Sequence, residues 1–183
     1  MRIGFDLDNI FIGGPPLIPH TIIERMYKKR DHGELLYRIP SYPDQLLRQI
    51  IHLPMLRPPM KKNLVFLEAL AKKNKNLYLI SSRYKFLEKR TAALVKKHKL
   101  DTHFHQMFFN FANEQPHLFK NAILKELKLD SYVDDDLSLL KYVAKDNPTT
   151  TFFWLTSANY SQPLPKNIVQ IRALTEITKD KKL

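Results

Sequence analysis

The sequence contains no cysteine and only four glycines among 183 residues. Without cysteine, the chain has no disulfide, thiolate metal site, iron–sulfur cluster or cysteine nucleophile. The scarcity of glycine argues against a glycine-rich phosphate loop, and G-x-x-x-x-G-K-[ST], G-x-G-x-x-G and G-x-S-x-G are all missing. No run approaches the ~20 apolar residues that cross a bilayer, and MRIGFDLDN places two acids where a secretory signal has its apolar stretch. We therefore expect a soluble, cytoplasmic protein without a membrane partner.

The composition is that of a globular protein, with 44% hydrophobic and 26% charged residues. The length allows one well-buried domain with a small insertion. Lys and Arg number 30 against 18 Asp and Glu, which gives a net charge of +12 and a surface that attracts anions such as phosphates. The basic residues lie in short, scattered runs, which is more typical of solvated helix faces than of a nucleic-acid surface.

The order of apolar and polar segments predicts an α/β protein. RIGFDL, residues 2–7, is an apolar run typical of a buried parallel strand. From residue 61 onward, helical and strand patterns alternate, which predicts a parallel sheet. The predicted helices are 61–73, 84–99, 117–127 and 136–145, and the predicted strands are 77–80, 104–109, 131–133 and 150–155. A short run at 169–171 predicts an edge strand, followed by a last turn of helix.

The segment between these two parts has a different pattern. It follows the turn signal Gly13-Gly14-Pro15-Pro16 and contains helical stretches near 20–30 and 42–53. Its prolines are too dense for a regular βα alternation, so we interpret it as a small helical insertion. We therefore predict a core domain of residues 1–13 and 61–183 and a helical cap of residues 14–60.

Polar side chains follow the predicted strands. Asp6 and Asp8 end the first strand, and Ser81 and Ser82 follow the second. Ligands of open parallel α/β sheets bind beyond the carboxyl ends of the strands, where these side chains converge. Asp134-Asp135-Asp136 follow a later strand, and Lys120 lies at the start of the helix before it. We therefore expect an acidic cluster flanked by a hydroxyl and an ammonium group.

Such a cluster is suited to phosphoryl transfer with a metal ion. Packed carboxylates raise one another's pKa unless a cation lies among them, and a site of oxygen ligands favours Mg²⁺. A carboxylate beside Mg²⁺ and a lysine can attack phosphorus, because the cations offset the repulsion between two anions. A second carboxylate two residues along the chain can protonate the leaving oxygen and later deprotonate water. Asp6 and Asp8 fit these two roles.

These motifs resemble those of the haloacid dehalogenase-like (HAD) superfamily of hydrolases. They occur in the family's order: IGFDLDNI, LYLISS, a lysine at Lys120, and YVDDD. The resemblance implies a three-layer Rossmann-like parallel sheet with a small helical cap inserted after the first strand. The phosphatases of this family keep an acid at the position of Asp8, whereas the dehalogenases lack it, so the resemblance implies a phosphatase.

The resemblance also implies roles for individual residues. Asp6 would be the nucleophile that forms an aspartyl-phosphate, and Asp8 the general acid and base. Ser81, with its neighbour Ser82, and Lys120 would bind the phosphoryl group. The Mg²⁺ ligands would be the carboxylates and one backbone carbonyl of four residues: Asp6, Asp134, Asp135 and, through its carbonyl, Asp8.

Other interpretations of these residues stay open at the sequence level. Asp6 and Asp8 also suit a polar turn at a strand end, and the acids at 134 and 135 also suit a helix cap, a role that we assign to Asp136. Two lysines, Lys125 and Lys128, lie close to Lys120. Arg83 either reaches a substrate anion or lies on the surface. For His103 and His105 we favour a strand face over a metal site, and we expect the phenylalanines near residues 108 and 152 to be buried.

The sequence thus predicts a Mg²⁺-dependent hydrolase of small phosphomonoesters, such as a 5′-nucleotide or a sugar phosphate. The cap would contact the leaving group, and it offers five side chains suited to an anion or an aromatic ring: Arg25, Tyr27, Tyr37, Arg38 and Arg48. The alternative is a non-catalytic module of the same fold that binds nucleic acid or an acidic partner through its basic surface.

Overall fold

A computed structural model describes residues 1–15, 28–31 and 34–180 of the chain. A six-stranded, entirely parallel sheet lies at its centre, with the strand order β5-β4-β1-β6-β7-β8. The strands are β1 (Ile3–Phe5), β4 (Leu77–Ser81), β5 (Gln106–Phe109), β6 (Ser131–Asp134), β7 (Thr151–Leu155) and β8 (Ile168–Ile171). The predicted α/β architecture with a parallel sheet is confirmed, and the run at 169–171 is the edge strand β8.

The predicted helices of the α/β region are also present, with small shifts at their ends. They are α2 (Lys61–Lys73), α3 (Glu88–Lys97), α4 (Pro116–Leu127), α5 (Leu137–Asp146) and a last turn α6 (Ile177–Asp180). The expected single helix at 84–99 begins as a 3₁₀ turn, Lys85–Leu87, before α3. Further 3₁₀ turns lie at Leu100–Thr102 and Leu174–Glu176.

Two apolar clusters, one on each side of the sheet, pack the helices against it, so the elements form three layers. Leu77 and Leu79 of β4 point to one side of the sheet, where Leu67 of α2 and Leu94 of α3 complete the first cluster. Alternate residues of the same strand, such as Ile80, point to the other side, where α4 and α5 complete the second cluster. This alternation follows from the two-residue period of a strand, and burial on both sides explains why β1 and most of β4 are apolar.

Gly4 in the middle of β1 allows the central strand to pack closely. A Cβ atom at this position would lie 2.5 Å from Cδ1 of Leu129 and 2.8 Å from Cδ2 of Tyr132. The absence of a side chain at Gly4 therefore leaves the space that the second apolar cluster fills.

The described part of the segment between β1 and α2 contains both strands and a helix. An antiparallel hairpin pairs β2 (Lys28–Asp31) with β3 (Glu34–Tyr37), and α1 (Tyr42–Ile51) follows. The helix predicted near 42–53 is confirmed, whereas the helix predicted near 20–30 is wrong for residues 28–30, which belong to β2. A two-residue connection that contains Gly33 favours a hairpin. Residues 20–27 lie outside the described residues, and the domain boundaries at 13/14 and 60/61 stay predictions.

Backbone hydrogen bonds join the residues at the start of this segment to those at its end. The Gly13 amide donates to the Pro58 carbonyl at 2.8 Å, and the Met60 amide donates to the Phe11 carbonyl at 2.8 Å. These bonds hold the residues just before α2 against the loop that follows β1. Within the part of the chain that the structure describes, there is no helix of sufficient length and apolar character to cross a membrane.

Candidate active site

The three central strands bring their carboxyl ends to one edge of the sheet. β1 lies between β4 and β6, with Phe5 in register with Leu79 on one side and Val133 on the other. Asp6, Ser81 and Asp134 come at or directly after these ends, and all three are buried. They line one cavity of about 200 Å³. The convergence expected from the sequence is therefore present.

Lys120 connects the carboxylates of two strands. Its Nζ donates to Oδ1 of Asp6 at 2.8 Å and to Oδ2 of Asp134 at 2.7 Å. The lysine is 3% exposed, and although burial opposes its charge, the two carboxylates outweigh this and hold its pKa well above the ordinary value. Lys125 instead forms an exposed pair with Asp146, and Lys128 ends α4 in a left-handed conformation. Lys120 is thus the lysine that the fold delivers to the site.

Asp134 is fixed on both of its oxygens. Oδ2 accepts from the Tyr132 hydroxyl at 3.0 Å as well as from Lys120, and Oδ1 accepts from the Asp136 amide at 2.9 Å. The Asp136 side chain accepts from the amides of Ser138 and Leu139, at 3.0 and 3.3 Å. Its predicted role as the N-cap of the following helix is confirmed.

Asp135 is held from the loop after β1 and from β7. Nδ2 of Asn9 donates to Oδ2 of Asp135 at 2.8 Å, and Nε1 of Trp154 donates to the backbone carbonyl of Asp135 at 2.9 Å. Asn9 has a φ of 56°, which asparagine tolerates better than most residues. Both contacts join distant parts of the sequence, and the sequence patterns did not indicate them.

Three carboxylates form a group suited to a metal ion. One oxygen each of Asp6, Asp134 and Asp135 lies within 4.8 Å of the others. Burial raises the pKa of Asp6 to about 7, with Lys120 opposing and Asp134 and Asp8 adding to the rise. Burial raises the pKa of Asp135 well above its ordinary value, and the charges of Asp134 and Asp6 add to the rise. A group of buried oxygen ligands whose negative charge is only partly compensated fits a hard cation such as Mg²⁺.

The Asp8 side chain lies outside this group and binds two arginines. Nε and Nη2 of Arg83 donate to its two oxygens at 2.8 and 2.7 Å, and Nη2 of Arg57 donates to Oδ1. Burial opposes ionisation of Asp8, but the guanidinium groups outweigh it and hold the pKa of this carboxyl far below its ordinary value. The alternative that Arg83 lies on the surface is wrong, because the residue is only 4% exposed.

The two serines occupy different environments at the end of β4. Ser81, the last residue of the strand, is 1% exposed and lines the cavity. Ser82 also lines it, and its Oγ is buried without a hydrogen-bond partner. Both serines are thus beside the cluster in which the sequence predicts a phosphate, and their binding role stays a prediction.

The segment before α2 supplies one wall of the cavity. The Tyr37 hydroxyl donates to Oδ2 of Asp136 at 2.8 Å, and Arg48, which is 1% exposed, also lines the cavity. Arg38 is exposed and pairs with Asp44. Arg25 and Tyr27 lie outside the described residues. Among the lining residues that sequence reasoning missed are three polar ones, Asn9, His52 and Arg57.

The other side chains considered in the sequence take no part in the site. His105 is exposed and lies edge-on to Tyr78, and the metal-type group found among the described residues contains no histidine. Phe152 and Phe153 are fully buried, as expected, whereas Phe108 is only partly buried.

Comparisons with known proteins bear on the fold. No protein-family model matches the sequence, and no curated protein matches it. Among solved structures, a HAD-superfamily hydrolase from Ehrlichia chaffeensis matches with a TM-score of 0.56 and 14% identity, over 98% of this chain and 94% of that chain. A candidate beta-phosphoglucomutase from Thermotoga maritima matches with a TM-score of 0.56 and 14% identity, over 99% of this chain and all of the other. The chain therefore has the haloacid dehalogenase-like fold.

Proposed function

We propose that this protein hydrolyses phosphomonoesters, with Asp6 as the nucleophile. The observation that carries the proposal is the ammonium group of Lys120, which bridges Asp6 and Asp134 beside a third carboxylate, Asp135. A general structural role does not require a buried lysine among two buried acids and one half-buried acid, because these charged groups are costly to desolvate. Phosphoryl transfer does, because an anionic nucleophile must approach an anionic phosphate.

The geometry supports separate roles for Lys120, for Asp6 after β1 and for the serines at the end of β4. Lys120 holds Oδ1 of Asp6 at 2.8 Å, which orients the carboxylate and leaves its second oxygen to attack phosphorus. The attack forms a bond between Asp6 and phosphorus while the bond to the leaving oxygen breaks. Water then hydrolyses the aspartyl-phosphate and releases inorganic phosphate. We assign the hydroxyls of Ser81 and Ser82 to the phosphoryl oxygens.

Asp8 is the general acid and base in this proposal. In its contact with Arg57 and Arg83 the carboxylate is ionised, which suits the deprotonation of the water that attacks the intermediate. Protonation of the leaving oxygen requires Asp8 to carry a proton, which both guanidinium groups oppose. The acid step therefore depends on movement of this carboxylate away from the arginines.

The metal ligands in the proposal are the carboxylates of Asp6, Asp134 and Asp135, with the backbone carbonyl of Asp8. Bound Mg²⁺ would neutralise charge on the phosphoryl oxygens and offset the repulsion between nucleophile and substrate. The chain itself fixes the position of two of these acids, through Lys120 and Tyr132 on Asp134 and through Asn9 on Asp135.

The cavity favours a small substrate, such as a 5′-nucleotide or a sugar phosphate. Its volume of about 200 Å³ suits a phosphate and a compact leaving group. Tyr37 and Arg48 line it from the segment before α2, so we assign recognition of the leaving group to this segment.

The test is hydrolysis of an aryl phosphate, such as p-nitrophenyl phosphate, with and without Mg²⁺. We expect Asp6→Asn, which keeps the shape of the side chain, to lose about 10³-fold or more of the activity, and Lys120→Met to lose about 10²- to 10³-fold. Asp146→Asn is the matched control, because Asp146 contacts Asn121 and Lys125 and does not line the cavity. Circular dichroism would verify that each variant is folded.

Wild-type turnover by a folded Asp6→Asn variant would refute the mechanism. If a folded sample with Mg²⁺ shows no turnover on aryl, nucleotide or sugar phosphates and binds polyanions with a steep salt dependence, the non-catalytic binding module is correct.

A further inference from the structure

A second group of buried cationic and imidazole side chains lines the cavity. It consists of Arg48, His52, Arg57 and Arg83, each at most 5% exposed. They come from α1, from the chain between α1 and α2, and from the chain after β4. The phosphoryl transfer proposed above uses Lys120 for the phosphate and needs none of these four for that purpose. Of these four, Arg57 and Arg83 contact Asp8, the general acid and base of the proposed reaction.

Arg83 and Arg57 both contact Asp8, but in different ways. Arg83 uses Nε and Nη2 together, so the edge of its guanidinium group that is best suited to an oxyanion is occupied by Asp8. Arg57 contributes only Nη2, and its Nε is buried without a hydrogen-bond partner. Arg83 thus positions Asp8, whereas Arg57 keeps one donor, Nε, that no described residue satisfies.

The fold holds Arg57 in this place. Pro58 and Met60, on either side of Pro59, form backbone hydrogen bonds with Gly13 and Phe11, directly after the loop that carries Asp8.

An isolated donor buried in a protein costs about 1–3 kcal/mol, so native structures rarely leave one unsatisfied. Ser82 Oγ, another buried atom that lacks a partner, lines the same cavity. The Ser82 hydroxyl is assigned above to the phosphoryl oxygens, which leaves Nε of Arg57 for another group of the ligand.

We propose that Arg57 binds a second anionic group of the substrate. The substrate class would then be a phosphomonoester that also carries a carboxylate or a second phosphate, with Nε of Arg57 donating to an oxygen of this second group. This inference rests on the proposed phosphatase function for the position of the first phosphate at Lys120. It assigns specificity to a residue that the sequence patterns did not indicate.

The test compares substrates that differ only at the end remote from the phosphate. The set is propyl phosphate, 2-carboxyethyl phosphate, propane-1,3-diol bisphosphate and, with a charge of the wrong sign, 3-aminopropyl phosphate. We expect kcat/KM for at least one of the two compounds with a second anionic group to exceed that for propyl phosphate by about 10- to 100-fold, and the amine to be the poorest substrate. A preference for 2-carboxyethyl phosphate would identify a carboxylate as the second anionic group, and a preference for the bisphosphate would identify a phosphate.

Arg57→Gln distinguishes ligand binding from a structural role. If Arg57 binds the second anion, this substitution removes the preference, so that kcat/KM for the preferred compound falls to that for propyl phosphate. If Arg57 only holds Asp8, both rates fall together and the ratio is unchanged, which would overturn the inference. Arg57→Lys should restore part of the preference. Arg38→Gln is the matched control, since this exposed arginine makes the same change of charge away from the cavity.

A binding measurement separates this inference from the proposed function. Calorimetry with wild-type protein compares propylphosphonate with propane-1,3-bisphosphonate and 3-phosphonopropanoate, which resist hydrolysis. An inactive protein with an Arg57-dependent preference for a compound with a second anionic group would refute the phosphatase and retain the anion site. An active protein without that preference, or one that keeps it after Arg57→Gln, would refute the anion site and retain the phosphatase.

Discussion

Mg²⁺ should stabilise the folded protein, and the effect should disappear on acidification. In the absence of metal, burial raises the pKa of Asp6 to about 7 in the folded state, against an ordinary value of 3.8. The folded state therefore binds more protons than the unfolded state between these values, and it loses stability as the pH rises from about 4 to 7. A cation that binds the three carboxylates would restore this stability at the high end of the range.

The size of the effect follows from linkage. At a Mg²⁺ concentration 100 times the dissociation constant measured at pH 8, the folded state gains about 2.7 kcal/mol. For a domain of this size that raises the melting temperature by about 5–11 °C. At pH 5, protonation of Asp6 weakens binding by about 100-fold, which reduces the gain to about 0.4 kcal/mol. The accompanying protonation of Asp135, whose pKa is also raised, would reduce it further.

The assay is thermal unfolding with and without Mg²⁺ at pH 5, 6, 7 and 8. Asp135→Asn should abolish the increase at pH 8, while its oxygen can still accept from Asn9. Asp146→Asn removes an exposed acid and should leave the increase intact. A melting temperature that rises equally at pH 5 and pH 8, or that still rises in Asp135→Asn, would show that these carboxylates do not form the metal site.

Two further predictions concern stability. Burial lowers the pKa of His52 to about 3, so this residue alone should lower the free energy of unfolding by about 2 kcal/mol between pH 7 and pH 5, because the unfolded state takes up a proton. In denaturant titrations, the free energy of unfolding at pH 5 minus that at pH 7 should be higher in His52→Gln than in the wild type by this amount, whereas the same change at exposed His105 should leave this difference as it is. Gly4→Ala should cost about 1–3 kcal/mol of unfolding free energy, because the new methyl group would lie within 3 Å of Leu129 and Tyr132. An unchanged urea midpoint would contradict this packing argument.

Much of the fold can be predicted because it depends on local patterns. The apolar runs of β1, β4 and β6 are continuous, since strands covered by helices on both sides bury every residue. The helix periods after residue 61 are equally regular. The hairpin was missed because β2, with the sequence KKRD, has no apolar alternation of its own.

Part of the candidate site can likewise be predicted from local patterns, and part of it cannot. Asp6, Ser81 and Asp134 are predictable, because a parallel sheet brings the ends of its strands to one edge. Lys120 was favoured over Lys125 only by its position before YVDDD, and its contacts with Asp6 and Asp134 come from the packing of α4. The partners of Asp8 lie 49 and 75 residues away from it, too far for any local pattern to indicate them.

The sequence by itself thus determined the parallel α/β architecture and the acids at the strand ends, because strand periodicity and polar residues after apolar runs are local features. Only the tertiary structure decided that Arg83 is buried against Asp8 and that Arg57 has an unsatisfied donor in the cavity. The physical reason is that burial and pairing of a charged side chain depend on distant segments. Here, the backbone pairing of residues 11–13 with 58–60 brings these segments together.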